Sequence, residues 1–459
     1  MTQDAAKSPE ADVPVTSVDD LIGLFVAAEK PPEAWRVGTE HEKIGLHRGE
    51  RGEGFQPVPY EGERGIGAVL EAVARSDGWN RIHEDGNLIA LEKAGGSITL
   101  EPGGQLELSG APLRTIHQTC DEFHTHLDLM RRVSQPLGIV WLGLGIHPIH
   151  RIDEIPVMPK ARYRIMRDYL PTRGSRGLVM MFQTATVQAN FDYASESDLV
   201  EKLRMALGVS PIVSAIFANS SISEGRANGF VSKRLDAWEG TDPDRTGMLP
   251  FAFDPDFGYR RYVEWALDIP MFFIVREGRY EPAKGLTFRE FLDRGHRGLR
   301  PTLADFDRHL TTLFPDVRVK KIIEVRGADA VPPGLTCSLP AVWKGLLYDA
   351  DARAAARALV DFGTHEDRLG ARRDVAHHGL AASYGKHAVL DLARELVQIA
   401  REGLRRIGHA GTSDADECGF LEPIVEQLER GKSPGQVILE CWNGEWQKSL
   451  DRLIDYARY

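Results

Sequence analysis

Glutamates recur along this chain at spacings that set them side by side on strands. In WRVGTEHEKIGLH (35–47), Glu40 and Glu42 are two residues apart, and residues i and i+2 of a strand point to the same face. In GSITLEPGGQLELSG (96–110), Gln105, Glu107 and Ser109 share one face, with Leu106 and Leu108 opposite. Glu101 stands just before the Pro102-Gly103-Gly104 bend. In TATVQANFDY (184–193), Thr184, Thr186, Gln188, Asn190 and Asp192 form a wholly polar face. In VKKIIEVRGAD (319–329), Glu324 and Arg326 share one. Any single strand of this kind is an ordinary antiparallel strand with one wet face. Gathered in one sheet, these strands would bring together Glu40, Glu42, Glu101, Glu107 and Glu324. Crowded carboxylates repel unless cations hold them. Hard oxygen ligands without histidine or thiolate partners suit magnesium or manganese. Such clusters typically grip ATP phosphates while a phosphoryl group moves. Arg326 and Lys321 could add fixed positive charge toward the same phosphates.

A second group of basic residues lies in SEGRANGFVSKRLDAWEGTDPDRTGM (223–248). Arg234 and Arg245 there have the planar fork that grips a carboxylate by two hydrogen bonds. His41 lies between two glutamates and points away from them on a strand, so it reads as structural. No GxxxxGK[ST] loop occurs, and no GxGxxG follows a strand. Gly143 and Gly145 in WLGLGIHP read as a tightly packed strand.

The strands are short and alternate in polarity, and their connections are long and varied. That pattern predicts an α+β protein with a mainly antiparallel sheet. Helical periodicity spans 17–30, 61–76, 113–137 and 196–218, then 345–361, 387–407, 419–430 and 445–457. No Pro/Gly/Ser-rich linker divides the middle, so residues 17–459 read as one catalytic domain behind a disordered lead-in at 1–16. The chain has 459 residues, 42% of them hydrophobic, which is ample for a core. A net charge of −11 argues against a nucleic-acid partner. No apolar run is long enough for a membrane span, and no secretory segment is evident. The cysteines, Cys120, Cys337, Cys418 and Cys441, are far apart and form no CxxC pair. They read as unpaired thiols of a reducing compartment, with a cytoplasmic location expected.

Long stretches of this sequence resemble the plant-type glutamate–cysteine ligase family. They include WRVGTEHEKIG, SITLEPGGQLELSGAPLRTIHQTC, IPVMPKARYRIM, TVQANFDY, DPDRTGMLPF and HLTTLFPDVRVKKIIEVRGADA, in that order. The resemblance implies a glutamine-synthetase-like carboxylate–amine ligase fold: a curved antiparallel sheet lined by helices, the active site on its concave polar face, and a helical C-terminal portion. It implies ATP-dependent joining of the glutamate γ-carboxylate to the cysteine amine through γ-glutamyl phosphate, the first step of glutathione synthesis. The substrates are then glutamate, cysteine and ATP, with magnesium or manganese. The state would be a monomer or homodimer. The alternative is a γ-glutamyl ligase for another amine, told apart by an amine pocket that apolar residues such as Trp238, Tyr262 and Trp265 would shape. The family's metal-binding glutamates fall on Glu40, Glu42, Glu101, Glu107 and Glu324. Arg326 would face the transferred phosphate, with Glu324 and Arg326 catalytic and Lys321 and Arg326 on the ATP. Arg234, Arg245, Gln188 and Asn190 would contact substrate. Plant members carry a cysteine pair in the segment matching 280–301, where this chain has none. Cys120 matches a family cysteine, but 131–147 offers it no partner. Disulfide control of the plant kind is not expected.

Overall fold

The computed structural model describes residues 13–49, 54–409 and 416–459. Its sheet is built around the strand that carries Glu40 and Glu42. β1 (Val37–Arg48), β2 (Phe55–Pro57), β3 (Asn80–Glu84), β4 (Asn87–Lys93), β5 (Gly96–Leu100), β6 (Leu106–Ser109), β7 (Ile139–Leu142) and β8 (Val187–Phe191) join the strands Val317–Val319 and Ile323–Val325 in one ten-stranded sheet. Every pairing in it is antiparallel. The order runs Val317–Val319, Ile323–Val325, β8, β1, β6, β5, β4, β3, and β2 and β7 pair with the far end of β1.

Register decides which side chains meet. Glu42 lies opposite Glu107, and Glu40 lies opposite both Ser109 and Gln188. Asn190 is opposite Glu324, which is opposite Arg318. The polar rows read from the sequence therefore fall on one face. The bend between β5 and β6 depends on its glycines. Gly104 sits at φ +83°, and a Cβ on Gly103 would come within 2.3 Å of the Phe182 carbonyl.

The other face of β1 presents Thr39, His41 and Lys43 to the helix Ile116–Ser134. That helix starts at Thr115 with a reciprocal cap to Gln118. The His41 ring lies 4.6 Å from that of Phe123, in keeping with a structural role. A larger core surrounds the helix Glu196–Ile216, whose residues from Met205 to Ile216 are all buried. The C-terminal portion is helical as expected, but the pattern at 345–361 divides. Ser338–Leu347 ends at Tyr348, and Asp349 caps Ala350–Leu359 by accepting from the Ala352 amide. The β3–β4 hairpin was not anticipated, although Asp85-Gly86 marks it; both have positive φ. No helix among the described residues is long and apolar enough to cross a membrane.

Two expectations are corrected here. Residues 1–12 of the lead-in lie outside the described residues, but residues 13–16 are held in place. The Val15 amide donates to the Pro301 carbonyl at 3.0 Å, and the Leu303 amide to that of Val13 at 2.9 Å. Cys120 and Cys337 are joined by a disulfide across 217 residues. Packing brings the helix Ile116–Ser134 beside the start of Ser338–Leu347, a proximity that cysteine spacing does not reveal. Cys418 and Cys441 are free.

The core also makes the fold acid-sensitive. His309 is buried, its Nε2 is 2.8 Å from the Ala266 carbonyl, and burial pushes its pKa down to about 3 from the ordinary 6.5. Between those values the unfolded chain binds the extra proton, so stability falls as pH drops below 6.5. The slope for one such histidine is about 1.4 kcal/mol per pH unit. His309→Gln is expected to reduce the fall in urea-unfolding stability between pH 6.5 and 4.5. A profile parallel to wild type would refute this assignment.

Candidate active site

A cavity opens against the polar face of the sheet. One wall is acidic. Carboxylate oxygens of Glu42, Glu101 and Glu107 lie within 4.8 Å of one another. Local bonds orient two of these side chains. The Thr186 amide donates to Glu42 at 3.0 Å, and the Ser109 hydroxyl donates to Glu107 at 2.7 Å. Burial, followed by repulsion from Glu101 and Glu107, holds Glu42 well above the usual carboxylate range. Burial and then Glu107 push Glu101 up to about 8. Acids crowded in this way resist ionisation until a cation neutralises them. An all-oxygen donor set of this kind fits a hard divalent ion.

Another part of the lining is basic and aromatic. Arg234 is 1% exposed. Its Nη2 donates to the Arg326 carbonyl at 3.0 Å, and its Nε and Nη1 find no partner among the described residues. Burial lowers its pKa to about 10. Two unused donors on a buried guanidinium that lines a cavity suit an anionic ligand. The indole Nε1 of Trp238, one turn on in the same helix (Lys233–Glu239), also has no partner among the described residues. Arg326 donates to Gln188 at 2.7 Å and to Glu324, and it lines the same cavity.

The sequence-derived residues separate into two groups. Glu40, Glu42, Glu101, Glu107, Gln188, Arg234 and Arg326 all line the cavity. Glu40 stands outside the close trio and accepts a bond from Asn190 at 3.1 Å. Asn190 itself sits between Glu40 and the Glu324 row and is not part of the lining.

Three of the residues stand apart from the clustered acids or from the lining. Glu324 is fully buried and is not one of the clustered carboxylates. Arg318 donates to both its oxygens at 2.7–3.2 Å, Lys320 lies at 2.8 Å, and Arg326 bonds to it as well. Burial alone would raise its pKa, but these cations outweigh it and hold Glu324 well below the usual range. Its oxygens are taken up by Arg318, Lys320 and Arg326. Arg245 is also fully buried, paired with Asp242 at 2.7 Å, bonded to the Thr312 and Pro270 carbonyls and 4.0 Å over Phe272. It braces a loop and does not line the cavity. Lys321 lies at the turn before the strand Ile323–Val325 and pairs with Asp307 at 3.5 Å, away from the lining.

Residues that sequence reasoning missed come from helices. Arg162, Tyr163 and Met166 share one side of Ala161–Tyr169, inside the PKARYRIM motif, and face the cavity. Met180 and Met181 close it from Gly177–Gln183. Of the aromatic residues expected in an amine pocket, Trp238 lines the cavity. Tyr262 is buried in the main core and Trp265 packs against it.

Comparison with known proteins follows the same lines. The family model "Glutamate-cysteine ligase family 2" matches residues 36–455. Glutamate–cysteine ligase B, chloroplastic, from Oryza sativa subsp. japonica is 42% identical over 461 residues, covering 100% of this chain and 90% of that protein. The chloroplastic enzyme of Arabidopsis thaliana is 41% identical over 462 residues, covering 99% and 86%. A crystal structure of glutamate–cysteine ligase from Francisella tularensis in complex with AMP superposes with a TM-score of 0.54. That protein is 13% identical, and the match covers 92% of this chain and 87% of that one, which establishes a common fold. The expected cytoplasmic location is overturned by the curated relatives, which are named chloroplastic. In sequence along nearly its whole length, the chain belongs to glutamate–cysteine ligase family 2.

Proposed function

We propose that this chain, acting as one catalytic unit over residues 17–459, joins the γ-carboxylate of glutamate to the amine of cysteine at the expense of ATP. The observation that carries the reading is one cavity lined by both clustered carboxylates and unsatisfied arginine donors. Full-length relatives named glutamate–cysteine ligase support it. A γ-carboxylate oxygen attacks the γ-phosphorus of ATP and ADP leaves. The amine then attacks the acyl carbon, phosphate leaves, and the amine nitrogen loses a proton. Glu42, Glu101 and Glu107 would hold magnesium or manganese, which supplies charge neutralisation to the phosphates. Arg234 binds an anionic oxygen through Nε and Nη1. Arg326, tied by Gln188 and Glu324, is oriented toward the transferred phosphoryl group. Met166, Met180, Met181 and Phe314 exclude water, protecting an acyl phosphate from hydrolysis.

The test is ADP release with magnesium, ATP and glutamate, with and without cysteine, followed by mass analysis. Cysteine-dependent ADP with γ-glutamylcysteine as product is expected. ADP release with another amine and none with cysteine would move the function to a different γ-glutamyl ligase. Arg234→Lys keeps the charge and removes the fork. It should lower kcat/KM for glutamate by about 10²-fold, measured under saturating ATP. An unchanged value would remove Arg234 from the substrate site.

A further inference from the structure

Behind the sheet lies a second cluster of ligand atoms. The sulfurs of Cys120 and Cys337, joined here as a disulfide, and a ring nitrogen of His124 all lie within 4.8 Å of one another. Cys120 and His124 are one turn apart on the helix Ile116–Ser134, so they share a face. The Cys120 sulfur is 3.5 Å from His124 Nδ1. With zinc–sulfur bonds near 2.3 Å and zinc–nitrogen bonds near 2.0 Å, a tetrahedral edge between two such ligands is about 3.6 Å. Cys337 stands at the N-cap of Ser338–Leu347, where aligned amide dipoles favour a thiolate. His124 is exposed and Cys120 half-buried, which leaves an open approach.

We propose that the reduced cysteine pair, together with His124, is a binding site for one zinc ion. The disulfide of the present structure is the oxidised form of the same site. A small dithiol reductant supplies two electrons and two protons. The sulfur–sulfur bond breaks, two thiols form, and the dithiol closes to its own cyclic disulfide. Zinc then binds as both thiols release their protons. The His124 ring gives up its present 2.8 Å contact with the Cys120 carbonyl, and water takes the fourth position. Thiolate and imidazole suit zinc as a soft donor set, unlike the carboxylate cluster, which suits hard ions. The bound ion would replace the disulfide as the link between two helices that pack on β1 and β8.

Cobalt(II) distinguishes the two sites, because only thiolate ligands give a sulfur-to-cobalt charge-transfer band in the near ultraviolet. The full chain carrying Cys418→Ser and Cys441→Ser is reduced with dithiothreitol, freed of it, and titrated with cobalt in excess magnesium. One equivalent of the band is expected after reduction and none before. Zinc should displace it. Cys120→Ser should abolish it, and His124→Ala should weaken cobalt binding at least tenfold with an unchanged melting profile. No band in the reduced protein would overturn the site, and equal affinity in His124→Ala would overturn the role of the ring. If the chain carrying both serine substitutions does not fold, titrating the unsubstituted chain against Cys337→Ser gives the same answer.

Discussion

Glu42→Gln is expected to lower turnover by about 10³-fold while leaving the fold intact. Glutamine keeps the side-chain volume and still accepts the Thr186 amide. What disappears is one charge of a trio whose oxygens lie within 4.8 Å of one another. Two consequences separate this from general damage. Without metal, the variant should be about as stable as wild type, because burial and the neighbouring acids already hold Glu42 well above the usual carboxylate range and glutamine matches its neutral form. With magnesium, wild type should gain stability by mass action, about 2.7 kcal/mol at a hundred times the dissociation constant. The variant should gain much less. Melting curves with and without magnesium, paired with steady-state rates, check both. A variant that turns over normally, or that still melts higher with magnesium, would falsify the assignment of Glu42 to the ion.

Glu324→Gln is expected to behave differently. The sequence reading makes Glu324 a metal ligand, for which the loss would be catalytic with little effect on folding. The structure surrounds it with Arg318, Lys320 and Arg326. Arg318 is itself fully buried. Removing the counter-charge leaves a guanidinium without its anion, and breaking a buried pair on one side costs about 3–5 kcal/mol. The expected result is a large drop in melting temperature at any magnesium concentration. Activity at permissive temperature should be reduced through a misplaced Arg326. Replacing Arg318 and Glu324 together with apolar residues of similar volume should recover part of the stability. A Glu324→Gln protein as stable as wild type, whose only defect is lost magnesium dependence, would restore the ligand role.

These contrasting expectations show what the residue pattern could convey. Period-two alternation placed Glu40, Glu42, Glu107 and Gln188 on one polar face, because strand geometry fixes that outcome wherever the strands pair, while Glu101 reaches the same cavity from the bend after β5. It could not say which acid meets which base. Glu324 is matched across a hairpin by Arg318, just ahead of the stretch in which alternation was visible. Arg245 was placed near substrate because a glycine-containing loop gives no sign of which way its side chains turn. Asp242, three residues earlier, was the available hint of an internal pair. Arg162 and Tyr163 lie on a helix whose cavity-facing residues look like any amphipathic surface until a partner is known. The disulfide joins residues 217 apart, and only tertiary packing sets that distance.

The order of β1 and its neighbours also bears on synthesis. Glu42, Glu101 and Glu107 leave the ribosome well before Arg234 and Arg326, so a nascent acidic half exists for a time without its basic half. β1 cannot acquire its second edge until Phe191 arrives to pair with Val37, and Leu142 waits for Arg458. Such long-range closures make folding slow and leave strand edges exposed in the interim. A product that stalls before β8 would carry an open edge with these acids beside it.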